Sequence, residues 1–253
     1  ATLRAMFLPP YKAAIEAGVG SVMVSFSSWN EVKLHQHDYL INTVLKKELG
    51  FGGFVVSDWA GVKQLPGTPS KQVELAINAG IDMVMVPDDW KSFMGILKKL
   101  VLEGRVPLAR IDDAVTRILI AKFRMGLFEA PLSDPAKLAL VGSKEHRELA
   151  RQAVRESLVL LKNEALLPLR KTGGTIALVG EGADDIGRQC GGWTITWQGQ
   201  SGPITTGTTI YQAIKAAAGS KVKVVHSLDG SDITKADVAI VVASEPPYAE
   251  MKG

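Results

Sequence analysis

Three short runs of β-favouring apolar residues, each followed by a stretch of helical character, constrain this chain more than any other feature. They are SVMVSF (21–26), GFVVSD (53–58) and IDMVMVP (81–87). The runs are apolar on both faces. Between and after them, HDYLINTVLKKELG (37–50), SKQVELAINAG (70–80), KSFMGILKKLVLEG (91–104) and PLARIDDAVTRILIAKFRMGLF (107–128) repeat apolar residues at helical spacing. Ser70 is the expected cap of the second of these helices. A strand buried on both sides and returned by a helix belongs to a parallel sheet covered by helices, either a (β/α) barrel or an open doubly wound sheet.

That rhythm breaks at EAPLSDPAKLALVGSKE (129–145), rich in Pro, Ser and Gly, which reads as a linker. A helix, EHRELARQAVRESLVLLKN (145–163), leads into a second α/β series. Its strands are TIALVG (175–180), KVKVVH (221–226) and ADVAIVVAS (236–244), with a helix at 208–219. The expected division is therefore an α/β unit over 1–128, a linker over 129–145 and a second α/β unit over 146–253. The chain opens on Ala1 with neither an initiating Met nor a signal segment, and it stops in a loop beyond a strand. It reads as a fragment.

Composition narrows the function classes. A net charge of +3 with no Lys/Arg-rich block gives a nucleic acid little to grip. The single cysteine, Cys190, excludes an internal disulfide and a thiol zinc cluster. The apolar runs fall short of the roughly 20 residues that a membrane-spanning helix needs.

Chemistry in parallel α/β sheets lies beyond the carboxyl ends of the strands. Asp58 ends its strand there with Trp59 beside it; it either caps the next segment or faces a cleft. Ser27-Ser28-Trp29-Asn30 and Asp88-Asp89-Trp90 follow the neighbouring strands. Indoles and short polar groups at successive strand tips suit a polyhydroxylated ligand, whose C–H faces pack on aromatic rings. Asp88-Asp89 reads equally as a helix-capping pair. His35 and His37 with Asp38 offer metal-ligand chemistry, against the plainer reading of solvated side chains at a helix start. In the second unit Gly180, Gly182 and Gly187 hint at a phosphate-binding turn without the dinucleotide spacing. Trp193 and Trp197 stand around a flexible Gly pair, which fits a loop laying an aromatic over a ligand; Glu245 sits at the tip of the last strand and Glu250 in the loop beyond, each reading equally as a surface residue. Two carboxylates brought from different units are what glycosidic bond cleavage requires, one as nucleophile and one as general acid then base.

GFVVSDWAGV (53–62), SSWN (27–30), QCGGWTITWQG (189–199) and PPYAEMKG (246–253) together resemble family 3 of the glycoside hydrolases, of the β-glucosidase and exo-β-glucanase type. The resemblance spans nearly the whole chain. It implies the C-terminal part of a (β/α) barrel followed by the N-terminal part of an α/β sandwich, both incomplete. It further implies Asp58 as nucleophile, Glu250 as acid/base, Glu245 as a structural position, and Trp59 and Trp193 as the indoles that clamp the sugar beyond the scissile bond. Phe26 stands where the family usually has a Tyr near the nucleophile; Glu31 replaces a Gly, and Gln64 an Arg near the outer sugar site. A β-glucoside or β-glucan oligosaccharide is the implied substrate, with no cofactor and no catalytic metal, in a periplasmic or secreted parent. The family's upstream Lys-His pair and sugar-gripping Asp lie outside this sequence. Alternatives are a β-N-acetylhexosaminidase or β-xylosidase of the same family, or a non-catalytic carbohydrate-binding fragment.

Overall fold

The computed structural model describes residues 2–251. The chain divides into two compact units, Ala1–Ala150 and Arg151–Gly253.

In the first unit a helix, α1 (Leu8–Glu16), with proline in its first turn, leads into the sheet. Strand β1 (Ser21–Met23) runs parallel to β4 (Phe54–Val56), with Val22 opposite Val55. Val56 in turn bridges to Met83 in parallel. Each segment thus lies beside the next in chain order. Between β1 and β4 comes a small antiparallel hairpin, β2 (Ser28–Trp29) with β3 (Val32–Lys33), then a π-type helical segment, Tyr39–Glu48. The hairpin's turn residues Asn30 and Glu31 have φ of 49° and 67°. Glu31 therefore occupies a left-handed position that favours glycine, the residue expected there by resemblance.

The helices α2 (Pro69–Asn78), α3 (Trp90–Leu102) and α4 (Leu108–Arg124) cover the strands. The cap of α2 is Thr68, whose hydroxyl accepts from the Lys71 N–H, and not Ser70. Pro69 follows at the first helical position, where its missing N–H costs nothing. The core gathers Phe51, Val55, Ala76, Ile81, Leu100 and Val106, all buried.

The expected third strand, 81–87, forms only the Met83 bridge. Met83 N–H donates to the Val55 carbonyl, and the ladder goes no further. Ser57 N–H donates to the Met83 carbonyl, Ala60 N–H to the Met85 carbonyl, and Met85 N–H to the Ser57 hydroxyl.

The amino ends of these segments are tied by buried charge. Asp82 accepts from Val55 N–H (2.8 Å), from Lys46 Nζ (2.9 Å) and from the Arg110 guanidinium. Arg117 donates to the carbonyls of Phe51 and Gly53 and to Asp113. Burial pushes Asp113 upward, but Arg117, Arg110 and Lys46 outweigh it and hold its carboxyl below the usual range. The core side chain of Lys46 is pushed down by burial despite Asp82. Such a cluster braces the end of the unit opposite the strand tips.

In the second unit β5 (Thr175–Val179) is the centre of a three-stranded parallel sheet, between β6 (Lys223–Ser227) and β7 (Val238–Val241). Ile176, Ala177 and Leu178 are buried. After β5 comes the short helix α6 (Ile186–Cys190), capped by Asp185, which accepts from the Arg188 N–H at 2.9 Å. Helix α7 (Ile210–Ala218) packs on the sheet and begins at a reciprocal cap: Thr209 accepts from Gln212 N–H while Gln212 accepts from Thr209 N–H. Because β5 and β7 are neighbours running the same way, the loops that leave their carboxyl ends emerge side by side.

Two sequence boundaries shift. The helix expected over 145–163 is α5, Lys144–Ser157; beyond it Leu158–Leu161 are exposed and find no face to bury against. The last strand ends at Val241, so Glu245 lies in the following loop rather than at the strand tip.

Candidate active site

Asp58 stands one residue beyond the fully buried Ser57 at the carboxyl end of β4. Its backbone N–H donates to His35 Nε2 at 3.0 Å, and its carboxylate Oδ1 accepts the Trp59 N–H at 2.7 Å. Its carbonyl accepts from the Ser57 hydroxyl and from Gly61 N–H. Every backbone polar group of Asp58 therefore has a partner, and the half-buried carboxyl group is held at a fixed mouth of the strand. Its oxygen takes the neighbouring amide; no residue of a following helix is capped by it.

His35 is the residue that sequence reasoning misplaced. It is 1 % exposed, not solvated. Accepting at Nε2 requires a neutral ring with its proton on Nδ1. Burial pushes the imidazole below its ordinary 6.5, with the Asp58 charge opposing and Lys33 reinforcing. The Phe26 ring lies nearby, ring centres 6.3 Å apart and tilted by 34°. Gly61 completes the fit: a Cβ there would meet His35 Nε2 at 2.3 Å, so the DWAG turn can close over the imidazole only with glycine. The clue was the pairing of a His with a Gly three residues past the acid, which only the fold brings together.

The surrounding polar residues have other duties. Lys33 Nζ donates to the Phe26 carbonyl (2.9 Å) and to Gln64 Oε1 (3.1 Å), tying the hairpin to the turn after Asp58. His37 lies against Trp29, centres 5.2 Å apart and rings tilted by 42°, and Asp38 accepts from Asn42. Among the described residues no three His, Cys, Asp or Glu side chains gather into a metal site. Asp89 occupies the position before α3 but makes no side-chain cap; its carboxylate pairs with Lys63 at 3.1 Å. Trp59 is 64 % exposed, an indole with no intramolecular burden beside the acid.

In the second unit the loop after α6 presents Trp193, 69 % exposed. Its φ of 60° is unusual for so large a residue and costs about 1–3 kcal/mol. A bond from Trp193 N–H to the Trp197 carbonyl (2.9 Å) holds it, and the two indoles stand 6.3 Å apart. Glu250 is exposed in the loop after β7, and that loop lies against the Trp193 loop. Ala249 N–H donates to Gln198 Oε1 at 3.0 Å, and Gln198 Nε2 donates to the Glu250 carbonyl at 3.4 Å. Glu245 is exposed as well. The glycine-rich turn at 180–187 is filled by the chain itself. Cβ atoms at Gly180 and Gly187 would meet the carbonyls of Val242 and Gln200 at 2.3 and 2.0 Å, leaving no cradle for a phosphate.

Both halves of the chain match known protein domains. Residues 1–121 match the Glycosyl hydrolase family 3 N terminal domain and residues 158–253 the Glycosyl hydrolase family 3 C-terminal domain. A periplasmic beta-glucosidase of Salmonella typhimurium is 37% identical over 241 residues, covering 90% of this chain and 30% of that protein. A beta-xylosidase of Formosa agariphila is 34% identical over 245 residues, covering 91% of this chain and 34% of its own. The crystal structure of an exo-1,3/1,4-beta-glucanase from a Pseudoalteromonas species superposes with a TM-score of 0.91 at 42% identity, covering 98% of this chain and 32% of that one. The chain spans about a third of the length of the relatives it matches. With its two units each matching the corresponding family domain, the chain belongs to glycosyl hydrolase family 3.

Proposed function

We propose that this chain carries the reacting carboxylates of a retaining, exo-acting β-glucosidase that removes terminal non-reducing β-D-glucosyl residues. Asp58 attacks the anomeric carbon while Glu250 donates its proton to the departing glycosidic oxygen. The C1–O bond breaks and an ester between glucose and Asp58 forms. Glu250, now ionised, takes a proton from water, which displaces Asp58 and releases glucose. Trp59 and Trp193 pack on the sugar beyond the scissile bond, and Phe26 shapes the pocket behind the nucleophile.

The observation that carries this reading is the position of Asp58: a carboxylate at a strand's carboxyl end, held by its own backbone bonds, with a bare indole next to it. The glucosidase and glucanase names of the relatives support the substrate class. Residues 1–128 are the C-terminal part of a (β/α) barrel, 129–145 a linker and 146–253 the N-terminal part of an α/β sandwich. The Salmonella relative's name supports a periplasmic or secreted location. The test is hydrolysis of 4-nitrophenyl β-D-glucoside by the protein expressed from its full reading frame, beside its Asp58→Asn variant. Loss of about 10³-fold or more in kcat/KM is expected; equal activity of the two refutes the assignment.

A second reading, β-xylosidase, is favoured by the Formosa relative. A larger kcat/KM on 4-nitrophenyl β-D-xyloside than on the glucoside would select it.

A further inference from the structure

We propose that Gln198 is a positioning residue for general acid catalysis, a latch that fixes the Glu250 loop to the loop bearing Trp193. The inference rests on Glu250 being the acid/base. Its basis is a two-point clamp: the carboxamide of Gln198 accepts from Ala249 N–H (3.0 Å) and donates to the carbonyl of Glu250 (3.4 Å). Both bonds go to the backbone on either side of the Ala249–Glu250 peptide, so they set where that backbone lies whatever its side chains do. The half-buried Gln198 spans more than fifty residues of sequence to do so.

The rest of the contact is built to match. A Cβ at Gly192 would meet the Tyr248 carbonyl at 2.4 Å, so the glycine next to Trp193 lets the two backbones touch. On the same short loop, Trp193 is held out in its left-handed conformation by the Trp197 carbonyl, one residue before Gln198. The sugar-facing indole and the proton donor are thereby referenced to one strip of chain. A Glu on an exposed loop with no such tie would sample many positions, and a misplacement of about 1 Å costs about 100-fold in a reaction that depends on alignment.

General acid help matters most when the leaving group is a poor one. A Gln198→Met substitution keeps length and volume but removes both bonds, so its effect should follow the leaving group. For cellobiose or methyl β-D-glucoside, whose departing oxygen needs the proton, kcat/KM is expected to fall about tenfold or more. For 2,4-dinitrophenyl β-D-glucoside, which departs unprotonated, kcat/KM should stay within about threefold. Azide should raise kcat on the dinitrophenyl substrate: it attacks the anomeric carbon of the glycosyl-enzyme, frees the Asp58 carboxylate and yields glucosyl azide without a base. Equal losses on good and poor leaving groups, or no loss on either, overturn the inference.

Glu250→Ala run in parallel separates the two claims. If it lacks this leaving-group dependence, the acid/base assignment fails. If it shows the dependence and Gln198→Met does not, only the latch fails. A readout on the unmodified protein stands apart from any variant's folding: the Ala249 amide should be protected from hydrogen exchange, and exchange at open-chain rates overturns the latch.

Discussion

Removing the imidazole of His35 while leaving Asp58 in place is the sharpest perturbation of what holds the Asp58 backbone. In His35→Ala the part-buried Asp58 N–H loses its acceptor, which costs about 1–3 kcal/mol. Deleting a ring that is 1 % exposed also leaves a cavity against Phe26 and Gly61, worth about 2 kcal/mol more. The expected total is about 3–5 kcal/mol. His35→Gln sets an amide oxygen near the place of Nε2 and should cost about 1 kcal/mol or less. The two variants also differ with pH. Burial lowers the folded value of His35 below 6.5, so its neutral form contributes stability in full above about 6.5, and this is lost as pH falls through the depressed folded value. His35→Gln does not titrate, so its stability relative to wild type should improve on acidification. Urea unfolding at a series of pH values between about 7.5 and 5 measures both effects. A His35→Ala protein as stable as wild type, or a Gln variant no better than Ala, refutes the support ascribed to this histidine.

Asp82→Ala should cost about 3–5 kcal/mol by urea unfolding, because Lys46 and Arg110 lose their fully buried carboxylate and keep only the half-exposed Asp113; a cost below about 1 kcal/mol would show that Asp113 and water satisfy them. Glu31→Gly, at φ 67°, should raise stability by about 1 kcal/mol, since glycine takes that conformation without a Cβ clash; a lower melting temperature counts against this account of the hairpin. Trp193→Ala should raise KM for laminari-oligosaccharides about fivefold, the loss of about 1 kcal/mol of aromatic packing, and change KM for 4-nitrophenyl glucoside less; an unchanged oligosaccharide KM removes Trp193 from the binding surface.

The parallel α/β character was legible because Val22, Val55 and Ile176 sit in runs apolar on both faces, a pattern that depends on local sequence alone. So was the placing of Asp58 at a strand end. What stayed hidden depends on contacts between distant segments. His35 looked like a surface residue because nothing near it in sequence shows that Gly61 and Phe26 close over it. The cap of α2 moved from Ser70 to Thr68 because Pro69 is better suited to the first helical position, which Ser70 alone does not reveal. The run 81–87 has strand composition, yet beyond Met83 its bonds go to the Ser57 hydroxyl and the Ala60 N–H rather than to a strand. Gln198 drew no notice beside two tryptophans, since its partners lie more than fifty residues later.

The most direct test of Asp58 as the attacking group is to trap the covalent intermediate. Incubating the protein from its full reading frame with 2-deoxy-2-fluoro-β-D-glucosyl fluoride slows breakdown of the ester, and peptide mass spectrometry then locates the sugar. The expected result is one fluoroglucosyl group per chain, on Asp58 within GFVVSDWAGV; attachment to another residue, or turnover with no adduct formed, contradicts it.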